Sequence, residues 1–153
     1  MVEGIVLAYK NALSTYKETK IKTASQGQLI VMLYDEAVKQ LSMSIELLEQ
    51  NKNEKIHGKI EQISKSIMKA EEIITELMVS LDFEQGGEIS KNLFALYSWF
   101  NKELLEANIG QDIKRIKAVK DMLAELRNTW NEIAGKTAAE PANREAVGLH
   151  ISG

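Results

Sequence analysis

The fold is decided by the stretch 25-SQGQLIVMLYDEAVKQLSMSIELLEQ-50, in which apolar residues recur every three or four positions. Ser25 is followed three residues later by Gln28, which is the pattern of a capping box at a helix start. The polar break Asn51-Lys52-Asn53 ends the pattern. We therefore predict a long first helix that runs from about Gln26 to about Gln50.

Three further segments show the same helical spacing and are separated by breaks of only a few residues, 84–87 and 109–111. They are 54–81, 88–108 and 112–134. Such short breaks require consecutive helices to be antiparallel. The prediction is an all-α, antiparallel up-down four-helix bundle over residues 25–134, with an N-terminal cap segment, 1–24, and a flexible C-terminal tail, 135–153.

Composition excludes several classes of function. A net charge of -3 and a pI near 5.5 provide no basic surface for a nucleic acid. The chain has no cysteine, which rules out disulfides and thiolate metal sites and suits a cytoplasmic protein. No apolar run reaches the roughly 18 residues of a transmembrane helix, so we predict no membrane insertion.

The histidines offer no catalytic or metal site that the sequence can complete. Glu54-x-x-His57 has the spacing of a helical di-iron half-site, but a second such pair is missing. His57 could instead serve a phosphotransfer bundle, although it lies at the start of a helix and is followed by Gly58, which weakens the helix there. Gly86-Gly87 lacks the flanking residues of a phosphate loop. We predict no enzyme activity, no cofactor and no metal.

Two of the helices carry more apolar surface than one bundle core needs. The second and fourth helices each have a single stripe, whereas apolar residues of the first spread over roughly 200° of its circumference. The third helix has a predicted core stripe consisting of Ile89, Leu93, Leu96, Tyr97, Phe100 and Leu104. Phe94 and Leu105 form a second stripe roughly 120° away, and Trp99 projects on another side.

Two explanations fit this additional apolar surface equally well, and both can hold at once. The N-terminal segment folds back over it, or a partner helix or extended peptide lies there. Spacing assigns Tyr97, Phe100 and Trp130 to the core, and it places Tyr34 at an edge from which its hydroxyl could reach solvent, a partner or the N-terminal segment.

Four sets of residues then follow one another in order. They are Tyr16-x4-Ile21-x-Thr23-Ala24-Ser25 with Leu29-Ile30-x-Met32-Leu33-Tyr34-Asp35, Lys91-Asn92-Leu93-x-Ala95-Leu96-Tyr97, Leu104-Leu105-x-Ala107-Asn108-Ile109-x2-Asp112, and Leu126-Arg127-x2-Trp130. Each is weak alone, but together, over about residues 9–134, they resemble the flagellar export chaperone family FliS. Tyr9 and the C-terminal tail have no counterpart in that pattern.

The resemblance implies a cytoplasmic chaperone that binds the disordered C-terminal segment of flagellin. Binding would prevent premature polymerisation, and the complex would be delivered to the flagellar type III export apparatus, with the export gate as a further partner. The free chain would be a monomer or a weak homodimer. The rival hypothesis is a helical adaptor, or a phosphotransfer-type signalling module, that docks a folded partner.

The predicted partner-binding residues combine the family pattern with the additional apolar surface. They are Leu13, Tyr16, Ile21, Leu29, Leu33, Tyr34, Asn92, Phe94, Trp99, Asn101 and Leu105. The first three belong to the N-terminal segment, which in the family covers a hydrophobic groove. Asn101 lies between Phe94 and Leu105, where an amide can pair with an extended backbone. Asn108 could do the same, but its position favours a role at the helix end or in solvent.

Overall fold

The computed structural model describes residues 26–52 and 57–139 of the chain. They form four helices: α1 (Gln26–Asn51), α2 (His57–Val79), α3 (Phe83–Gly110) and α4 (Ile113–Ala139). Ser25, the predicted cap of α1, lies outside the described residues. Helix α3 begins earlier than predicted, and α4 continues past Ala134, where the bundle was predicted to end.

The four helices form a ring in which each contacts its two neighbours. Helix α1 packs against α2 and α4, and α3 packs less extensively against the same two helices. The turns at 80–82 and 111–112 are so short that the chain reverses direction at each of them. This arrangement confirms the predicted all-α, antiparallel up-down four-helix bundle.

The wide apolar arc of α1 is covered in the structure, so it is not an open surface. Among its large apolar side chains only Met43 is exposed, at 42%. The buried ones are Leu29, Ile30, Val31, Leu33, Tyr34, Leu41, Ile45 and Leu48. Contact of this arc with the N-terminal segment or with a partner stays a prediction. Helix α1 packs more extensively against α2 and α4 than α3 does, which is consistent with its wider apolar arc.

The turn between α2 and α3 is built around Asp82, the N-cap of α3. Its Oδ1 accepts hydrogen bonds from the backbone N–H groups of Glu84 and Gln85, both at 3.0 Å. One turn later the helix is interrupted at Gly87, where φ is 51° and ψ is -122°. Only glycine adopts this conformation without strain. The break that the sequence predicted at this glycine pair is thus a kink inside α3.

The kink changes which residue enters the core at the start of α3. Ile89 was predicted to lie on the core stripe, but it is 45% exposed. Ser90 is buried in its place, and its Oγ donates to the Asp82 carbonyl at 2.8 Å. The hydrogen bond fixes the direction of the helix after Gly87, with Ser90 inward and Ile89 outward.

The connection between α3 and α4 also follows local rules. Gln111 caps α3 in the left-handed conformation, with φ 51° and ψ 47°. Asp112 begins α4: its Oδ1 accepts hydrogen bonds from the backbone N–H groups of Lys114 and Arg115 at 3.0 and 3.3 Å. Backbone groups at the end of α3 and at the start of α4 therefore find hydrogen-bond partners within these two residues.

The centre of the core contains two tyrosines. Tyr34 of α1 and Tyr97 of α3 are fully buried, and their hydroxyl groups hydrogen-bond to each other across the bundle. Tyr97, Phe100 and Trp130 are buried, as predicted. The Tyr34 hydroxyl, however, reaches Tyr97 instead of solvent, a partner or the N-terminal segment. Burial raises the pKa of Tyr97 to about 12. Burial, followed by the nearby Tyr97, raises the pKa of Tyr34 further.

Ion pairs on the surface join α1 to α4. Arg127 Nε donates to Asp35 Oδ1 at 2.8 Å, which gives Asp35 a structural contact that the sequence did not reveal. Lys117 Nζ lies 3.3 Å from Glu49 Oε1. Both pairs are partly exposed, so each contributes little to stability. None of the helices in the described part of the chain is long and apolar enough to cross a membrane.

Candidate functional site

Two large apolar side chains that face away from the core of α3 lie on one line. Phe94 and Leu105 are 43% and 53% exposed. Ser98 and Asn101 lie between them at spacings of three or four residues, so the four side chains share one face of the helix. This is the second stripe that the sequence predicted, and the structure leaves it open.

Helix α2 forms the opposite wall beside this stripe. Asn101 Nδ2 donates to Thr75 Oγ1 at 3.2 Å, and Asn108 Nδ2 donates to Ser64 Oγ at 3.1 Å. The Asn108 bond corrects the prediction that this residue serves the helix end or solvent. Since Asn101 and Asn108 flank Leu105 on one face of α3, both bonds place that face along α2.

We call this surface the α2–α3 groove. It is defined by residues Met68, Glu71 and Thr75 on α2, and by Phe94, Asn101 and Leu105 on α3. Ser64, Met68, Glu71 and Thr75 follow one another at helical spacing, so Met68 and Glu71 lie on the face whose two ends bond to α3. Two polar contacts thus hold the walls together, with apolar side chains beside them.

Asn101 is held in one orientation by its neighbour. Thr75 Oγ1 accepts from Asn101 Nδ2 and donates its own hydrogen to the Glu71 carbonyl at 2.9 Å. The other amide atom, Asn101 Oδ1, is buried and has no hydrogen-bond partner in the described structure. An acceptor left in this state carries a free-energy cost that a bound donor would remove.

Glu71 is the charged group of the groove. Burial, with a smaller effect from the neighbouring Glu72, raises the pKa of its carboxyl to about 7. Among the described residues, no cation pairs with this carboxylate at short range. The groove therefore presents a poorly compensated carboxyl group in addition to the unpaired amide oxygen.

Sequence reasoning missed part of this groove. Met68 is 39% exposed, and its sulfur lies 4.0 Å from Ser64 Oγ. Phe83 is 46% exposed and contacts Phe94 edge to face, with ring centroids 5.8 Å apart. The helical spacing of Ser64, Met68 and Thr75 was visible in the sequence. Its meaning depended on knowing which face of α2 meets α3.

Trp99 and Asn92 belong to a different surface. Both are exposed, and they lie on the face of α3 that also carries Glu103 and Glu106. The two carboxylates pair with Arg115 of α4, so this face borders α4 and not α2. We call it the α3–α4 flank, defined by Asn92 and Trp99 on α3. The predicted α3 residues thus divide between two surfaces.

The remaining predicted residues fall into two groups. Leu13, Tyr16 and Ile21 lie outside the described residues. Leu29, Leu33 and Tyr34 are buried, with at most 7% of each residue exposed. Partner contact through these six residues stays a prediction, and the groove as defined does not include them.

Comparison with known proteins gives a consistent result. The family model for the flagellar protein FliS matches residues 9–137. The flagellar secretion chaperone FliS of Escherichia coli is 35% identical over 115 residues, which cover 75% of this chain and 80% of the relative.

Two further relatives carry the same name. The FliS protein of Salmonella typhimurium is 34% identical over 122 residues, covering 79% of this chain and 85% of the relative. The Bacillus subtilis protein is 25% identical over 126 residues, covering 82% and 88%. The chain therefore belongs to the FliS family, a family of flagellar secretion chaperones and not of enzymes.

Proposed function

We propose that this chain is an export chaperone that binds the disordered C-terminal segment of flagellin in the cytoplasm. Binding keeps the segment from polymerising, and the complex is delivered to the flagellar type III export apparatus, where the export gate is a further partner. The observation that carries the proposal is the α2–α3 groove, in which Phe94 and Leu105, 43% and 53% exposed, lie on one face of α3 beside α2.

The groove has the dimensions of a short peptide element. From Phe94 to Leu105 the helix rises about 16 Å. That length accommodates three turns of a bound helix, or about five residues of extended chain. The ligand would bury apolar side chains against Phe94, Leu105 and Met68, which is favourable by roughly 25 cal/mol for each Å² of apolar surface removed from water.

One groove is not enough to order a long disordered segment. Folding on binding costs several kcal/mol and is usually offset by about 1,000–3,000 Å² of buried surface. We therefore propose that the segment continues around the bundle to the α3–α4 flank, where Trp99 supplies a large aromatic contact and Asn92 hydrogen bonds. Leu13, Tyr16 and Ile21 of the N-terminal segment would contribute further contacts or cover the groove when it is free.

The free chain is expected to be a monomer or a weak homodimer, because an uncovered apolar stripe of this size promotes only limited self-association. Light scattering over a range of concentrations measures this directly. If the groove forms the dimer contact, flagellin binding should dissociate the dimer.

The decisive experiment combines two substitutions in the groove with one elsewhere. Phe94→Asp with Leu105→Asp places two charges on the apolar stripe without touching the core. We expect the double variant to keep its helical circular dichroism and lose binding to the flagellin of the same organism in calorimetry. Met43→Asp, at a 42% exposed apolar position on α1, is the matched control and should bind normally.

Three outcomes contradict the proposal. Flagellin without its C-terminal segment could bind as well as the full-length protein, which would favour an adaptor that docks a folded partner. The groove double variant could bind as the wild type does. Unfolding of that variant, with Met43→Asp intact, would show that Phe94 and Leu105 belong to the core.

A further inference from the structure

The α2–α3 groove contains hydrogen-bond acceptors that the bundle does not satisfy. Asn101 Oδ1 is buried without a partner, and the Glu71 carboxyl is half buried without a cation among the described residues. Thr75 links the two residues, since it bonds to the Asn101 amide and to the Glu71 carbonyl. Helical spacing places Glu71 one turn before Thr75, on the face of α2 that meets Asn101 near the middle of the apolar stripe.

The surrounding residues do not provide the missing donors. On α3, the face opposite Glu71 consists of Asn101, Leu105 and Asn108, and the Asn108 amide already donates to Ser64. On α2, the neighbouring Glu72 adds negative charge. A buried acceptor and a half-buried carboxylate are both stabilised by a donor that arrives with the ligand.

We propose that the centre of the groove is a specificity pocket for an arginine side chain of the bound segment, with Glu71 and Asn101 as its acceptors. The inference rests on the proposed function, because it assigns a side chain to the segment held in that groove. Thr75 is the positioning residue, since its hydroxyl accepts from Asn101 Nδ2 and thereby leaves Asn101 Oδ1 as the unpaired atom of the amide.

Arginine fits this site better than lysine does. Its guanidinium carries five N–H donors in a fixed plane, enough to pair with a carboxylate through two bonds and with an amide oxygen through a third. It is also more weakly hydrated than an ammonium group, so it loses less on entering a half-buried site. The apolar stem can pack against Met68 and Leu105 on either side.

The pocket would supply register as well as affinity. Apolar stripes tolerate sliding of a bound peptide, because Phe94 and Leu105 accept most large apolar side chains. A single charged pair at the centre penalises every register in which the arginine is displaced, since each of those leaves Glu71 uncompensated. Glu71 would therefore decide which residue of the segment faces Asn101.

The test compares two neighbouring carboxylates. Glu71→Gln removes the charge and keeps the shape, and we expect flagellin binding to weaken roughly 10- to 100-fold, the range of a charged hydrogen bond. Glu72→Gln makes the same change one residue away and should alter the affinity by no more than about twofold. Calorimetry with the full chain and full-length flagellin measures both.

A second comparison identifies the ligand's side chain. Each arginine in the C-terminal segment of flagellin is replaced in turn by glutamine. We expect one replacement to weaken binding to the wild-type chaperone and to have no further effect on Glu71→Gln, which is the coupling expected of a direct pair. The same arginine replacement should also have no further effect on binding to the Asn101→Leu chaperone. This second comparison is independent of the Glu71 variant.

The results separate the inference from the function on which it rests. If wild-type chain fails to bind flagellin, the proposed function fails and the pocket fails with it. If flagellin binds but Glu71→Gln binds equally well, or weakens no more than Glu72→Gln, the function stands and the arginine pocket is refuted. The same conclusion follows if no arginine replacement couples to Glu71.

Discussion

The hydrogen bond between the two core tyrosines leads to a quantitative prediction about stability. Replacing either tyrosine alone by phenylalanine should destabilise the bundle more, per hydroxyl removed, than replacing both. Tyr34 and Tyr97 are both 0% exposed, so a hydroxyl that loses its partner finds no water. An unpaired buried hydroxyl costs about 1–3 kcal/mol, and that is the loss expected for Tyr97→Phe.

Tyr34→Phe should be the more damaging of the two single changes. The Tyr34 hydroxyl also hydrogen-bonds with the Trp130 side chain, so its removal leaves two groups without a partner. The double variant keeps both ring volumes and removes both hydroxyls, and only the Trp130 N–H is left unpaired. We therefore expect the double variant to cost no more than Tyr34→Phe alone, which corresponds to a coupling at least as large as the cost of Tyr97→Phe, about 1–3 kcal/mol.

Urea unfolding of the four proteins, followed by far-ultraviolet circular dichroism, measures this coupling. The slope of the unfolding free energy against urea should be the same in all four, since the surface exposed on unfolding hardly changes. If the two single losses instead add up to the loss of the double variant, the hydroxyls do not depend on each other and the reasoning is wrong.

Three other predictions concern the turns and the pH dependence. Gly87→Ala should destabilise the protein by about 1–3 kcal/mol, because φ of 51° with ψ of -122° is strained for any residue with a Cβ. Gly58 lies in a helix with open space around it, so Gly58→Ala should stabilise the protein by about 0.5–1 kcal/mol in the same urea assay. Asp82→Ala removes the N-cap of α3 and should cost about 1 kcal/mol, whereas an unchanged midpoint would show that the cap is dispensable. Since burial raises the pKa of Tyr97 from an ordinary 10.0 to about 12, its stabilising effect is complete below pH 10 and is lost as the pH rises towards 12. The loss of stability between pH 10 and pH 12 should therefore be smaller in the Tyr34→Phe, Tyr97→Phe double variant. An identical alkaline profile would contradict the assignment.

Periodicity was enough to predict the helices and their antiparallel order. It was also enough to find the Phe94 and Leu105 stripe, because a polar-to-apolar pattern on one helix depends only on that helix. The kink at Gly87 was harder to predict, since a glycine in a turn and a glycine in a broken helix look alike in sequence. Ile89 was misplaced for the same reason.

Contacts between helices could not be predicted in this way. The width of the apolar arc of α1 was visible in the sequence, but its close packing against both α2 and α4 was not. Tyr34 and Tyr97 are far apart in sequence, so nothing local reveals that their hydroxyls meet. The bonds from Asn101 to Thr75 and from Asn108 to Ser64 depend on the register of α3 against α2. The polar part of the groove became visible only with that register.

The diagonal placement of α1 and α3 has an evolutionary consequence. Most packing of the bundle involves α1, whereas the open face of α3 contributes little to it. Substitutions on that face, such as those at Phe94 or Leu105, therefore change what the protein binds without removing its ability to fold. When the sequence of the bound segment changes during evolution, the chaperone can adapt through substitutions on this face, while the packing of α1 is retained.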